Sequence, residues 1–148
     1  YGDVFKTKNS GADYDLDNIS EILDIIKENW CMIYLGTDII DISRIRKNLN
    51  ENYINFINKI FTDKEIKYCE SKADPAIHFA GRFAGKEATK KALFSAGVVK
   101  QISNKEIEII SLNNIPKVKI SAIMNSVNIS ISHTNNLAVA TAIIIEWL

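Results

Sequence analysis

The chain has 148 residues, enough for one domain with a real core and too few for two comfortable ones. Its 18 Lys and Arg are matched by 18 Asp and Glu, and this zero formal charge offers no pointer to nucleic acid or membrane, so neither is expected as a partner. Cys31 and Cys69 are the only cysteines and form no C-x-x-C arrangement, which indicates neither zinc site nor disulfide framework and suits a reducing cytoplasm.

Residues 1–17 mix Gly, Asn, Ser, Asp and Lys without apolar periodicity and read as a flexible lead-in. Ile19, Ile22, Leu23, Ile25, Ile26 and Trp30 then fall at helical spacing, which predicts a short amphipathic helix capped by Asp17 or Asn18. Acids outnumber bases up to Cys31, the remainder is mildly basic, and Met32 reads like an initiator methionine behind foreign or extended sequence. The expected division is an N-terminal extension over 1–31 and one domain over 32–148.

Residues 33–40 read as a strand carrying Asp38 near its end, where Ile39 and Ile40 keep the acid from free solvation. Short helices are predicted over 43–49 and 53–60. Thr62 opens another, with Glu65 three residues on in the capping-box position. Asp74-Pro75 starts a long helix over about 76–96, and Gly97 ends it. Four strands follow, over 106–112, 118–122, 127–132 and 137–145, with Asn113-Asn114 and Asn135-Asn136 as turns. The apolar run at 137–145 is too short to span a bilayer. Helices in the middle, with strands at the start and in a run at the end, predict an α+β domain with a mostly antiparallel sheet.

The long helix carries the informative stretch, Phe79-Ala-Gly-Arg-Phe-Ala-Gly-Lys-Glu-Ala-Thr-Lys-Lys-Ala92. Phe79, Ala80, Phe83, Ala84, Ala88 and Ala92 supply a buried stripe. Glu87 and Lys91, four apart, share a face, and the plain reading of that spacing is a surface ion pair worth a few tenths of a kcal/mol, about 0.3. Gly81 and Gly85 sit inside the helix although each costs about 1 kcal/mol against Ala, so something besides helix stability placed them, either a close backbone or a ligand.

Asp38 and Glu87 are the best pair of carboxylates for Mg²⁺, which takes one or two carboxylates together with phosphate oxygens and waters. Their separation in sequence does not bring them together, and a strand-end Asp alone is more often a cap or turn residue. In Ile129-Ser-Ile-Ser-His-Thr134 the alternation sends Ser132 and His133 to opposite faces, and no G-x-S-x-G is present, which argues against a serine hydrolase. His133 reads equally well as a structural histidine, and His78, at a helix start, reads as blander still.

Three blocks together, Gly36-Thr-Asp-Ile-Ile-Asp-Ile-Ser-Arg-Ile45, the helix stretch 79–92 and Ile129-Ser-Ile-Ser-His-Thr134, resemble the acyl-carrier-protein synthase type of 4′-phosphopantetheinyl transferase over residues 32–148. The resemblance implies the α+β phosphopantetheinyl transferase fold with a long central helix, assembled as a homotrimer with active sites between subunits. It implies transfer of 4′-phosphopantetheine from coenzyme A to a serine of an apo-acyl carrier protein, giving 3′,5′-ADP, in fatty acid biosynthesis. It further implies that Asp38 and Glu87 bind Mg²⁺, that Glu87 helps activate the attacking hydroxyl, and that Lys91 meets coenzyme A phosphates during catalysis. Arg82 and His133 match positions near the nucleotide of coenzyme A, and Arg44 matches a basic residue facing the carrier's acidic helix. Phe94-Ser-Ala-Gly97 and Ile115-Pro-Lys117 depart from the family's turns and bear on loop shape only. A silent homologue that binds carrier or coenzyme A without transfer is the alternative, and intact Asp38, Glu87 and Lys91 weigh against it.

Overall fold

The computed structural model describes residues 31–121, 123 and 126–147. The lead-in over 1–17 and the helix over 19–30 lie outside these residues. The chain divides into Ile33–Ile145 and a second unit, Tyr1–Met32 with Glu146–Leu148; the architecture below is that of the first.

Strand β1 (Cys31–Asp41) runs directly into helix α1 (Ile42–Glu51), because Asp41 caps it by accepting from the Ser43 backbone N–H at 2.8 Å. Helix α2 (Tyr53–Ile60) follows. Helix α3 (Asp63–Glu70) opens with the capping box expected at Thr62 and Glu65. Helix α4 (Pro75–Ser95) starts as predicted, with Pro75 in the first turn and the Asp74 carboxylate accepting from Ala76 N–H at 3.2 Å. It ends at Gly97, whose φ of 67° is costly for residues with a Cβ. There Gly97 N–H donates to the Phe94 carbonyl and Val98 N–H to that of Leu93, the pairing of a Schellman motif.

A 3₁₀ turn, Asn104–Glu106, leads into β2 (Ile107–Leu112), which pairs antiparallel with β3 (Ile115–Ile120). Strand β3 begins three residues earlier than expected and includes Pro116, which pairs with Ser111 in a sheet of only two strands. The earlier start follows from Asn113 and Asn114, both at positive φ (50° and 64°), which close a two-residue hairpin. Strands β4 (Val127–His133) and β5 (Leu137–Trp147) pair antiparallel, and β5 lies between β1 and β4 in a three-stranded sheet.

Helix α4 packs on β4 and β2. The two glycines singled out in the sequence make this possible: a Cβ at Gly85 would lie 3.0 Å from Ile129 Cδ1, and one at Gly81 3.2 Å from Ile131 Cγ2. Close packing of strand side chains therefore explains both. Phe61 and Phe79, each fully buried with ring centroids 4.9 Å apart, anchor the other side of the core; burying a phenylalanine contributes about 2–3 kcal/mol.

One charged pair lies inside that core. Lys86 Nζ and Glu65 Oε2 are 2.7 Å apart with neither side chain exposed to solvent. Lys86 also donates to the Asn104 and Ile107 carbonyls at 2.8 and 2.5 Å, while Glu65 accepts from the backbone N–H groups of Ile109 and Thr62, each at 2.8 Å. The capping-box glutamate thus also ties α3 and α4 to β2. Burial pulls Lys86 below the ordinary lysine value, and the Glu65 charge opposes that pull.

Candidate active site

The first cluster forms where β1 crosses α4. A Cβ at Gly36 would fall 2.0 Å from the Ala88 carbonyl oxygen and 2.5 Å from Ala92 N, so only glycine lets the strand lie this close to the helix backbone. Two residues further on, Asp38 meets the helix: Lys91 Nζ donates to Asp38 Oδ1 and to the Thr37 carbonyl, both at 2.8 Å. The Asp38 side chain is 15% exposed and that of Lys91 53%, so the pair sits at a surface with the acid on the inner side. Asp38 Oδ2 is buried and has no hydrogen-bond partner among the described residues.

Glu87 lies one turn before Lys91 on the same face of α4. The Glu87–Lys91 ion pair suggested by the spacing does not form, because Lys91 reaches β1 and Glu87 takes Lys90 instead, at 3.2 Å. A buried carboxylate oxygen without a donor is a rarity that calls for an explanation, and a cation supplies one. Among the described residues no group of three or more His, Cys, Asp and Glu side chains could hold a metal ion. A hard ion here would rest on Asp38 and Glu87 and draw its other oxygens from ligand and water, a donor set that suits Mg²⁺.

The second cluster lines a cleft of about 260 Å³ bounded by α3, α4, the β2–β3 hairpin and the end of β4. Arg82 and His133 share it. Arg82 is 7% exposed, its guanidinium lies 3.7 Å from the centroid of the Tyr68 ring, and its Nε has no hydrogen-bond partner among the described residues. His78 stands edge-on to the same ring at 5.9 Å. Burial holds His78 below the ordinary histidine value, helped by the charges of Arg82, Lys72 and His133 and opposed by Asp74.

The two clusters occupy different sides of one helix. Arg82 and Lys91 are nine residues apart, which leaves them half a turn out of phase. Arg44, for its part, is exposed on α1, its backbone bonded to Asp41 and its side chain without an ion pair among the described residues. Its neighbour Arg46 is held by Asp74 at 2.8 Å.

Sequence reasoning did not find the close crossing at Gly36 or the burial of Lys86 against Glu65. It read His78 as bland, and the structure puts that side chain in the cleft with Arg82, four residues on along the same helix face. Nothing local marks Gly36 or Lys86, since both are decided by what packs against them.

Residues 34–142 match the family model described as the 4′-phosphopantetheinyl transferase superfamily. The chain is 43% identical over 118 residues to the holo-[acyl-carrier-protein] synthase of Chlamydia pneumoniae, covering 76% of this chain and 96% of the relative. It is 43% identical over 115 residues to that of Chlorobaculum parvum, covering 74% and 96%. Among solved structures it resembles the holo-(acyl-carrier-protein) synthase of Bacillus anthracis in complex with CoA (3′,5′-ADP), at 31% identity and a TM-score of 0.68, covering 79% of this chain and 99% of that one. The Helicobacter pylori enzyme in complex with coenzyme A matches at 32% identity and a TM-score of 0.65, covering 74% and 98%.

Proposed function

The chain belongs to the 4′-phosphopantetheinyl transferase superfamily, and from that premise we propose a working active site in which Asp38, Glu87 and Lys91 carry the chemistry and Arg82 and His133 hold the nucleotide. The reaction is transfer of 4′-phosphopantetheine from coenzyme A to a serine of apo-acyl carrier protein, in the service of fatty acid biosynthesis. The observation that carries the assignment of residues is the Asp38–Lys91 pair with its orphaned buried oxygen, on the helix face that also bears Glu87.

Mg²⁺ is the cofactor of this reading, held by Asp38 and Glu87, and when bound it would draw charge from the coenzyme A pyrophosphate. The carrier serine Oγ attacks the β-phosphorus. A new P–O bond forms, the bond from that phosphorus to the bridging oxygen breaks, and 3′,5′-ADP departs with the bridging oxygen and its electrons. Glu87 accepts the serine proton, since an unassisted hydroxyl is a poor nucleophile at neutral pH. Lys91, anchored by Asp38 and the Thr37 carbonyl but half exposed, offers its charge to the phosphate oxygens. Arg44, exposed and without a side-chain ion pair among the described residues, faces the acidic carrier.

Assembly as a homotrimer belongs to the same reading. The outward residues Ile33, Leu35 and Ile39 of β1 are 60%, 55% and 59% exposed, an apolar strand face of the kind that a neighbouring subunit covers. A neighbour would also let the Arg82 cleft of one chain complete the acid cluster of another, which half a turn of α4 keeps apart within one chain. The cytoplasm is the expected setting, in keeping with two free cysteines.

The test is direct: incubate the protein with coenzyme A, Mg²⁺ and an apo carrier protein, then weigh the carrier. A gain of one phosphopantetheinyl group is expected, and an unchanged mass would refute the reading.

A further inference from the structure

His78 has no part in the proposed transfer, yet it lines the same cleft as Arg82 and His133. Tyr68 is the platform: Arg82 lies over its ring at 3.7 Å, Lys72 at 4.4 Å, and His78 meets its edge. His133 enters from the end of β4. The groups acting on His78 are Arg82 from α4, Asp74 that caps it, Lys72 from the turn before it and His133 from the sheet. Asp74, the only acid among them, is already committed to Arg46 and to capping α4. The β2–β3 hairpin contributes Ser111 and Asn114, which are uncharged hydrogen-bonding groups.

Among the described residues, Arg82 and Lys72 bring like charge to His78, and the acid that opposes them, Asp74, is engaged elsewhere. Such packing is unfavourable in the empty protein and becomes favourable when an anion occupies the cleft. Arg82 points to the same conclusion independently, since its guanidinium is more than nine-tenths buried with Nε unsatisfied among the described residues.

We propose that His78 is a further phosphate-binding residue: with Arg82 and His133 it forms a subsite that grips a phosphate of the coenzyme A nucleotide and tightens as it takes up protons. This rests on the reading of the chain as a coenzyme A-dependent transferase. The sign follows from the neighbours. Burial and the cations Arg82 and Lys72 favour neutral His78 in the free protein, and a phosphate reverses the balance, so binding draws in a proton and affinity rises as pH falls. Each unit by which the phosphate raises a histidine pKa tightens binding by up to about tenfold once that histidine is charged.

The chain has only two histidines, so both can be followed by nuclear magnetic resonance in the full protein. Saturation with 3′,5′-ADP should move the His78 titration midpoint upward, and an unmoved His78 midpoint would overturn the proposal. Calorimetry with coenzyme A supplies the second measurement. His78→Gln should match the parent at pH 8 and bind about three- to tenfold more weakly at pH 6; because both proteins meet the same ligand, its own titration cancels. Equal affinities at both pH values would overturn the role of His78 while leaving the transferase reading intact. A parent that binds no coenzyme A at either pH would overturn both. Repeating the pair with dephospho-coenzyme A identifies the phosphate: an effect that disappears assigns the 3′-phosphate, and one that persists assigns the pyrophosphate, each in support of the subsite.

Discussion

Glu65→Gln is the sharpest probe of how the site's helix is held. Three donors converge on the Glu65 carboxylate: Lys86 Nζ at 2.7 Å and the Ile109 and Thr62 backbone N–H groups at 2.8 Å each. A glutamine offers one acceptor oxygen and turns an amide toward the others, and it leaves Lys86 uncompensated in a site with no solvent exposure. Breaking a buried pair from one side costs about 3–5 kcal/mol. Lys86 limits that loss by shedding its proton. Folding with a neutral lysine at pH 7 costs at most about 4.8 kcal/mol, the free energy between pH 7 and the ordinary value of 10.5. The penalty is present below the unfolded lysine pKa and is relieved as pH rises, because the unfolded chain then binds fewer extra protons. The variant should therefore recover up to about 2.7 kcal/mol relative to the parent between pH 7 and pH 9. Urea unfolding at the two pH values measures this. A loss below about 1 kcal/mol, or one that is the same at both pH values, would show that the pair does not bear on stability as argued.

Glu87→Gln should lower transfer by at least about a hundredfold in the carrier mass assay while leaving the urea midpoint in place, and turnover at parental rate would remove Glu87 from the chemistry. Lys91→Ala should weaken coenzyme A binding or turnover by about tenfold or more, since it removes a half-exposed cation and leaves Asp38 alone; unchanged steady-state kinetics would contradict it. Gly36→Ala places a methyl group 2.0 Å from a backbone oxygen that cannot yield, so thermal unfolding should show a loss of about 3 kcal/mol or more, and a stable, fully active variant would disprove the close crossing. Arg44→Glu should raise the KM for the carrier and leave the Kd for coenzyme A unchanged; equal carrier affinity refutes its assigned role.

Much of the fold was legible because its signals are local. The Thr62–Glu65 capping box, Asp74-Pro75 at the start of α4 and Gly97 at its end each act within a few residues, and the structure uses each in the way expected. Asn113-Asn114 also turned as read, but Pro116 hid the first residues of β3, since a sequence does not show that the strand belongs to a sheet of only two. The three blocks shared with a family were equally visible, being strings of neighbouring residues.

Pairing across the chain was not legible. Lys91 looked like the partner of Glu87 four residues away, whereas it is bound to Asp38, 53 residues distant, because β1 lies against α4 at a glycine. Lys86 and Glu65 lie on different helices and are buried against each other, which no local signal announced. By itself the sequence determined the order and type of the helices and strands, the caps and turns that bound most of them, and which residue types are available for chemistry, since periodicity, caps and turns are short-range energies. The tertiary structure alone decided which of those charges meet, which are buried and which side of α4 each one serves, because burial and Coulomb energies depend on distances in space that chain separation does not encode.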